Sequence, residues 1–320
     1  MAIDPNNPNP SSKEWKLIEK MLLSSLDEQK KARRWGIFFK LLTFLYVLGI
    51  FLVLRGGNGE LGQQTGSLSD HTAVIELNGE IGADTEVNAD HIMKALKNAF
   101  KAQHAKGIIL RINSPGGSPV QSALIYKEIM RLKKLHPEKK VYAVISDIGA
   151  SGAYYVASAA DKIYADEGSL VGSIGVVSPG FGFVGLIDKL GIERRLITSG
   201  DHKGMLDPFS PRKPDDEAHF STLLKDVHQQ FIDAVKAGRG DRLKENSEIF
   251  SGMFWDGRQA KALGLIDDFG SAGSVARDEI HQENVVDYTP KPDPFEAFAK
   301  KVGMSMAASL KASMLGIGLQ

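Results

Sequence analysis

The spacing of apolar and polar positions changes several times along the chain, and each change marks an expected element. Over residues 13–34, Trp15, Ile18, Leu22 and Leu26 recur near helical spacing, which predicts an amphipathic helix. Over residues 36–54 the polar face disappears: GIFFKLLTFLYVLGIFLVL is apolar apart from Lys40 and Thr43. At about 1.5 Å per residue such a run covers roughly 28 Å, close to the thickness of a hydrocarbon core. Lys30, Lys31, Arg33 and Arg34 precede it, and Arg55 follows it before a glycine-rich stretch. The positive-inside rule then places residues 1–35 in the cytoplasm and everything after the span outside. A cleaved leader would have a shorter lead-in and an A-x-A site, and a buried core helix would be shorter or keep a polar face.

Beyond a Gly/Ser/Gln-rich linker at 56–71 the pattern becomes globular. Strand-like runs at 72–77, 107–112, 141–145, 162–165 and 193–198 alternate with helical patterns at about 89–102, 120–135, 152–159 and 215–237. That alternation predicts an α/β domain with a mostly parallel sheet covered on both faces, whose functional groups gather at the carboxyl ends of the strands. Residues 1–12 are Pro- and Asn-rich, and the tail at 288–320 is weakly amphipathic and rich in methionine.

Composition narrows the chemistry. The 320 residues carry 39 basic and 39 acidic side chains, and the basic ones are dispersed, so there is no nucleic-acid footprint. There are no cysteines, which removes disulfides, thiol nucleophiles and thiolate metal sites together. Nothing in the pattern calls for a metal, nucleotide or other cofactor.

Two short motifs occupy strand-to-helix turns. Ile112-Asn113-Ser114-Pro115-Gly116-Gly117 places adjacent glycines where backbone N–H groups can face an oxyanion, although Ser-Pro-Gly-Gly read alone is simply a turn. Asp147-Ile148-Gly149-Ala150-Ser151-Gly152-Ala153-Tyr154-Tyr155 displays Ser151 at the mouth of a small-residue helix, as a nucleophile or as an N-cap. None of the eight histidines lies in a motif of this kind. The residues themselves leave open whether a histidine or a lysine kept neutral by burial would serve as base.

The pairing of INSPGG with a downstream DIGASGAYYVASAAD resembles the SppA-type signal peptide peptidases of the Clp-protease/crotonase-like superfamily. GSLVGSIGVV (168–177) and GRQAKALGLIDDFG (257–270) look like that family too, and the resemblance covers residues 72–285. It implies a repeated ββα spiral domain and a Ser/Lys dyad whose base lies about fifty residues after the nucleophile. Lys203, in Ser199-Gly200-Asp201-His202-Lys203-Gly204, matches that place. By the same resemblance Gly117 and Gly152 supply the oxyanion-hole N–H groups, and Ser173 orients the lysine, its other reading being a strand-edge serine. Tyr154 and Tyr155 are expected to pack beneath the site.

The implied organisation is a cytoplasmic segment (1–35), a transmembrane helix (36–55), a linker (56–71), a serine peptidase domain (72–287) and a C-terminal tail (288–320). The implied protein is a single-pass bacterial inner-membrane endopeptidase acting on remnant signal peptides from the extracytoplasmic side. Its single catalytic domain resembles the short family members, which form homo-oligomeric rings with each dyad shared between neighbours. A crotonase-like acyl-CoA enzyme, using the same oxyanion hole on a thioester, and an idle oligomeric membrane scaffold stand as alternatives.

Overall fold

The computed structural model describes residues 12–56, 69–244 and 246–290. The chain divides into two compact units, one of 66–291 and one of the terminal segments. In the terminal unit, α1 (Ser12–Gly56) is one unbroken helix, so the two N-terminal elements expected from sequence are continuous. Its apolar side chains from Trp15 to Leu48 are exposed. Among the described residues no helix is long and apolar enough to cross a membrane. The span expected at 36–54 reaches past them, because the side chains of 50–54 lie outside the described residues, as do 1–11, 57–68 and 291–320.

The second unit is built on strands β1 (His71–Asn78), β2 (Ala105–Ser114), β3 (Lys140–Ala150), β4 (Lys162–Ala165), β5 (Leu170–Gly172), β6 (Phe254–Trp255), β7 (Asp268–Phe269) and β8 (Val285–Asp287). They run in the order β6-β5-β3-β2-β1-β8, with β4 pairing β3 and β7. Every pair is parallel except β5 with β6. The α/β alternation expected from sequence is therefore observed.

Side chains of the three central strands divide by parity, as period-two geometry requires. Ala73, Ile75, Leu77, Ile108, Leu110, Ile112, Val141, Ala143 and Ile145 enter the larger core. The helices α2 (Ala89–Lys101), α3 (Pro119–Leu135) and α4 (Gly152–Ala157) contribute to it. The intervening Val74, Ile109, Tyr142 and Val144 meet Val275 and Ala276 of α8 (Ala272–Asp278) on the other face. Helices α5 (Val184–Lys189), α6 (Pro214–Arg239) and α7 (Gly257–Ala262) complete the described elements of this unit apart from one 3-10 turn.

One expected strand does not form. Residues 193–198 pair with no neighbour, and Leu196 and Ile197 are 41% and 96% exposed. Only Leu196 and Ile197 of this segment are apolar and three of its six residues are charged, and a strand exists only where a sheet edge accepts its hydrogen bonds; this segment passes outside the sheet.

Candidate active site

The carboxyl ends of β2 and β3 bring the two sequence motifs together. Ser114 pairs with Gly149 across these strands after a register shift, so the turns that follow lie side by side. Gly116 has φ +101°, and a Cβ there would stand 2.7 Å from Ala150 O and Gly152 N and 2.8 Å from Ser151 Cβ. Only glycine permits this backbone-to-backbone approach. On its other side the turn is tied to residue 81: Ile81 N–H donates to Gly116 O (2.8 Å), and Ser118 N–H donates to Ile81 O (2.7 Å).

Ser151 joins β3 to α4 with φ 52° and ψ −125°, a conformation that costs a non-glycine residue strain. Its backbone is held on both sides: N–H donates to Gly172 O (2.8 Å), and its C=O accepts from Tyr155 N–H (3.0 Å). Its side chain makes no capping hydrogen bond. The strained turn thus leaves the hydroxyl uncommitted, so Ser151 does not act as a side-chain N-cap.

Gly117 and Gly152 line the same cleft as Ser151. A Cβ on Gly152 would be 3.3 Å from Gly117 N and would collide with Ser122 Oγ. Neither N–H makes a backbone hydrogen bond among the described residues. Two close, unspent N–H groups at the start of a helix form a place where negative charge on a carbonyl oxygen would be stabilised.

Ser173 follows Gly172, the partner of Ala150, and therefore sits one step along from the strand end beside Ser151. It has φ 50°, and its N–H donates to Met253 O (2.8 Å). Lys203 is placed differently. It lies on an exposed turn, with its N–H donating to Gly200 O (3.2 Å), and it does not line the cleft that contains Ser151. Within one chain, then, the fold gathers Ser151, Gly117, Gly152 and Ser173 at one end of the sheet but leaves Lys203 out of the cleft. The turn carrying Lys203 is pinned by its neighbour: His202 Nδ1 hydrogen-bonds the buried Asp216 at the start of α6.

Beside Ser151 opens a cleft of about 210 Å³ between α3 and α6, floored by Tyr155 and Phe231. Tyr155 stacks between Tyr126 and Phe231 at centroid separations of 5.3 and 4.9 Å, and burial pushes its phenol pKa up. Tyr154 is fully buried behind the turn and donates to Leu265 O (2.7 Å). These cleft residues escaped the sequence reading because a stripe such as Val120, Ala123 and Leu124 looks the same whether it faces a core or a cleft. Among the described residues no group of three or more His, Cys, Asp or Glu forms a metal site.

A serine on a strained strand-to-helix turn, sharing an apolar cleft with two unspent N–H groups, defines an α/β fold equipped for acyl transfer. The profile of peptidase family S49 matches residues 133–285. A putative signal peptide peptidase SppA from Enterococcus faecium is 32% identical over 234 residues, covering 69% of this chain and 67% of that protein. A putative protease from Synechocystis is 34% identical over 199 residues, 62% of this chain and 69% of its own length. The chain belongs to peptidase family S49. It is also 48% identical over 182 residues to a Brucella abortus protein named as the Na(+)/H(+) antiporter NhaA, of which it spans only 25%. That name describes the whole Brucella protein, and the shared segment is 57% of this chain.

Proposed function

We propose that this chain is a membrane-anchored serine endopeptidase that cleaves hydrophobic peptides, remnant signal peptides among them, through a Ser151–Lys203 dyad. The observation that carries the reading is the Ser151 turn, strained at φ 52°, with an uncommitted hydroxyl in the cleft that Gly117 and Gly152 also line. In the reaction, Ser151 Oγ attacks the peptide carbonyl carbon while Lys203 Nζ takes its proton, and the two N–H groups hold the oxyanion. Lys203 then gives the proton to the leaving amine, and water hydrolyses the acyl-enzyme by the reverse proton route.

Lys203 enters the site from a neighbouring copy in this reading. Support comes from its exposed turn outside the Ser151 cleft, and from the surrounding segment, where Val177, Phe181 and Ile197 are 83%, 82% and 96% exposed. So much apolar surface on one segment suits burial against a second protomer. Because the serine and the lysine would be offered by different surfaces, the contact is heterologous and closes as a ring. The parallel sheet, with its oxyanion turn at the strand ends, suits the spiral fold of the crotonase and Clp-protease superfamily. The apolar run 36–54 supplies the anchor, supported by its composition and the basic residues before it.

A mechanism-based serine reagent tests the reading. It should modify Ser151 in the wild-type protein and nothing in Ser151→Ala, with peptide cleavage lost in parallel. An unlabelled Ser151 in a protein that still cleaves would overturn it.

A further inference from the structure

The cleft at Ser151 is apolar along its length but has a cation at its far end. From α3 it receives Val120, Ala123, Leu124 and Lys127, and from α6 Gln230 and Phe231. Residues 120, 123/124 and 127 lie along one face of a helix, so the cleft follows α3 for about 10 Å from the Ser151 turn. Lys127 is the one charged residue among those lining it. Its side chain has no ion pair or hydrogen bond to any described residue. The neighbouring acids are engaged elsewhere: Glu128 with Lys97 and Arg131, and Asp233, whose charge acts on Tyr155, with Gln229 Nε2 at 2.8 Å.

We propose that Lys127 recognises a carboxylate on the peptide, making the Ser151 cleft specific for a segment with an apolar stem and an anionic end. The inference rests on Ser151 being the nucleophile. Lys127 is exposed, so its methylene stem can lie along the apolar wall while its ammonium stays hydrated at the cleft mouth, within reach of a peptide in the cleft. A leucine or phenylalanine in the cleft gains nothing from that ammonium, which stays hydrated. A carboxylate at the same depth pairs with it, and Gln230 beside it adds an amide donor. The carboxylate has two sources, a glutamate side chain close to the scissile bond or the free C-terminus of a short peptide.

Two pairs of otherwise identical fluorogenic peptides separate these sources. One pair carries Glu or Gln at each position flanking the scissile bond in turn, and the other ends in a free acid or an amide. In the wild-type full-length protein, one pair should show a kcat/KM ratio favouring the carboxylate by roughly two- to fivefold, as one solvent-exposed charge pair provides. Lys127→Ala should bring that ratio to about one, and Lys127→Glu should invert it toward Gln or amide. The pair that responds identifies the source. Ratios unchanged in both variants would overturn the proposal. So would loss of all cleavage in Lys127→Ala, for carboxylate and amide peptides alike, since that outcome would make Lys127 part of the proton-transfer machinery. Equilibrium binding of the same peptides to Ser151→Ala separates this inference from the peptidase reading. Lys127-dependent preference for carboxylates in binding, with no cleavage by the wild type, would leave the cleft's specificity standing and remove the reaction.

Discussion

The backbone N–H of Ser151 donates to the carbonyl of Gly172 at 2.8 Å, which clamps the serine turn to the strand end that carries Ser173. Both serines have positive φ, 52° and 50°. Left-handed geometry at two non-glycine residues persists only where surrounding bonds over-determine it, and here β5 holds one serine while Met253 O, just before β6, holds the other. The clamp sets the direction of the Ser151 Cα–Cβ bond before any substrate arrives.

The two glycines proposed for the oxyanion hole should fail in different ways. In Gly152→Ala the new methyl meets Ser122 Oγ, the end of a small side chain, whereas in Gly117→Ala it meets the Ile81 backbone, at φ +144°. Each variant should lose about 10²–10³ in kcat, the loss seen when an oxyanion donor is misplaced. Adding Ser122→Ala should restore part of the activity of Gly152→Ala and none of that of Gly117→Ala. Steady-state kinetics on the two double variants, with melting temperatures alongside, checks this.

Lys203→Arg should be as inactive as Lys203→Ala, because a guanidinium stays charged and cannot accept the serine's proton. If neighbouring chains share each dyad, inactive Ser151→Ala and Lys203→Ala proteins should complement each other. After dissociation and reassembly in equal amounts, about one site in four would pair an intact serine with an intact lysine, by random occupancy of a heterologous ring. Inactivity of rings shown by mass spectrometry to be mixed would confine the dyad to one chain.

Ser173→Ala should lower kcat roughly 10–100-fold if the hydroxyl orients Lys203, by analogy with the loss of groups that orient metal ligands. KM and assembly should stay unchanged, since the Ser173 backbone bond to Met253 O does not involve the side chain. An unaltered kcat would leave Ser173 a strand-edge residue.

Stability below neutral pH should depend on Asp267. Burial alone would raise its pKa, but Arg239 Nη1 at 2.7 Å, the Ile163 N–H at 2.7 Å and Arg242 Nη1 at 3.1 Å outweigh burial and lower it. A carboxylate depressed in the folded state contributes stability above its unfolded pKa of about 3.9, and loses it as pH falls through the folded value. Asp267→Asn should cost about 3–5 kcal/mol at pH 7, because Arg239, only 1% exposed, loses its counter-charge. Its stability should also fall less than that of the wild type between pH 5 and pH 2. Urea unfolding across that range measures both effects.

The sequence by itself determined the elements whose signals are local. Four of the five expected strands and all four expected helices of the peptidase unit formed, most of them close to their expected ends although β3 runs five residues further, to Ala150, because period-two and helical patterns record which face of an element meets a core. The glycine-bearing motifs were legible for a similar reason, since turns that expose backbone N–H groups need particular residues at particular places. Residues 193–198 failed: Leu196 and Ile197 suggested a strand despite three charged neighbours, but only the assembled sheet decides which segments find an edge. The short strands β5 to β8, two or three residues each, were equally silent, because their pairing is non-local and their side chains too few to show a period. Tertiary structure alone decided that Gly116 packs against the Ser151 turn, that Ser151 is clamped to Gly172, and that Lys127 shares the serine's cleft while Lys203 stands outside it. Each of those facts joins residues that are distant in the chain, and a sequence records spacing along the backbone, not which surfaces the folded sheet and helices bring face to face.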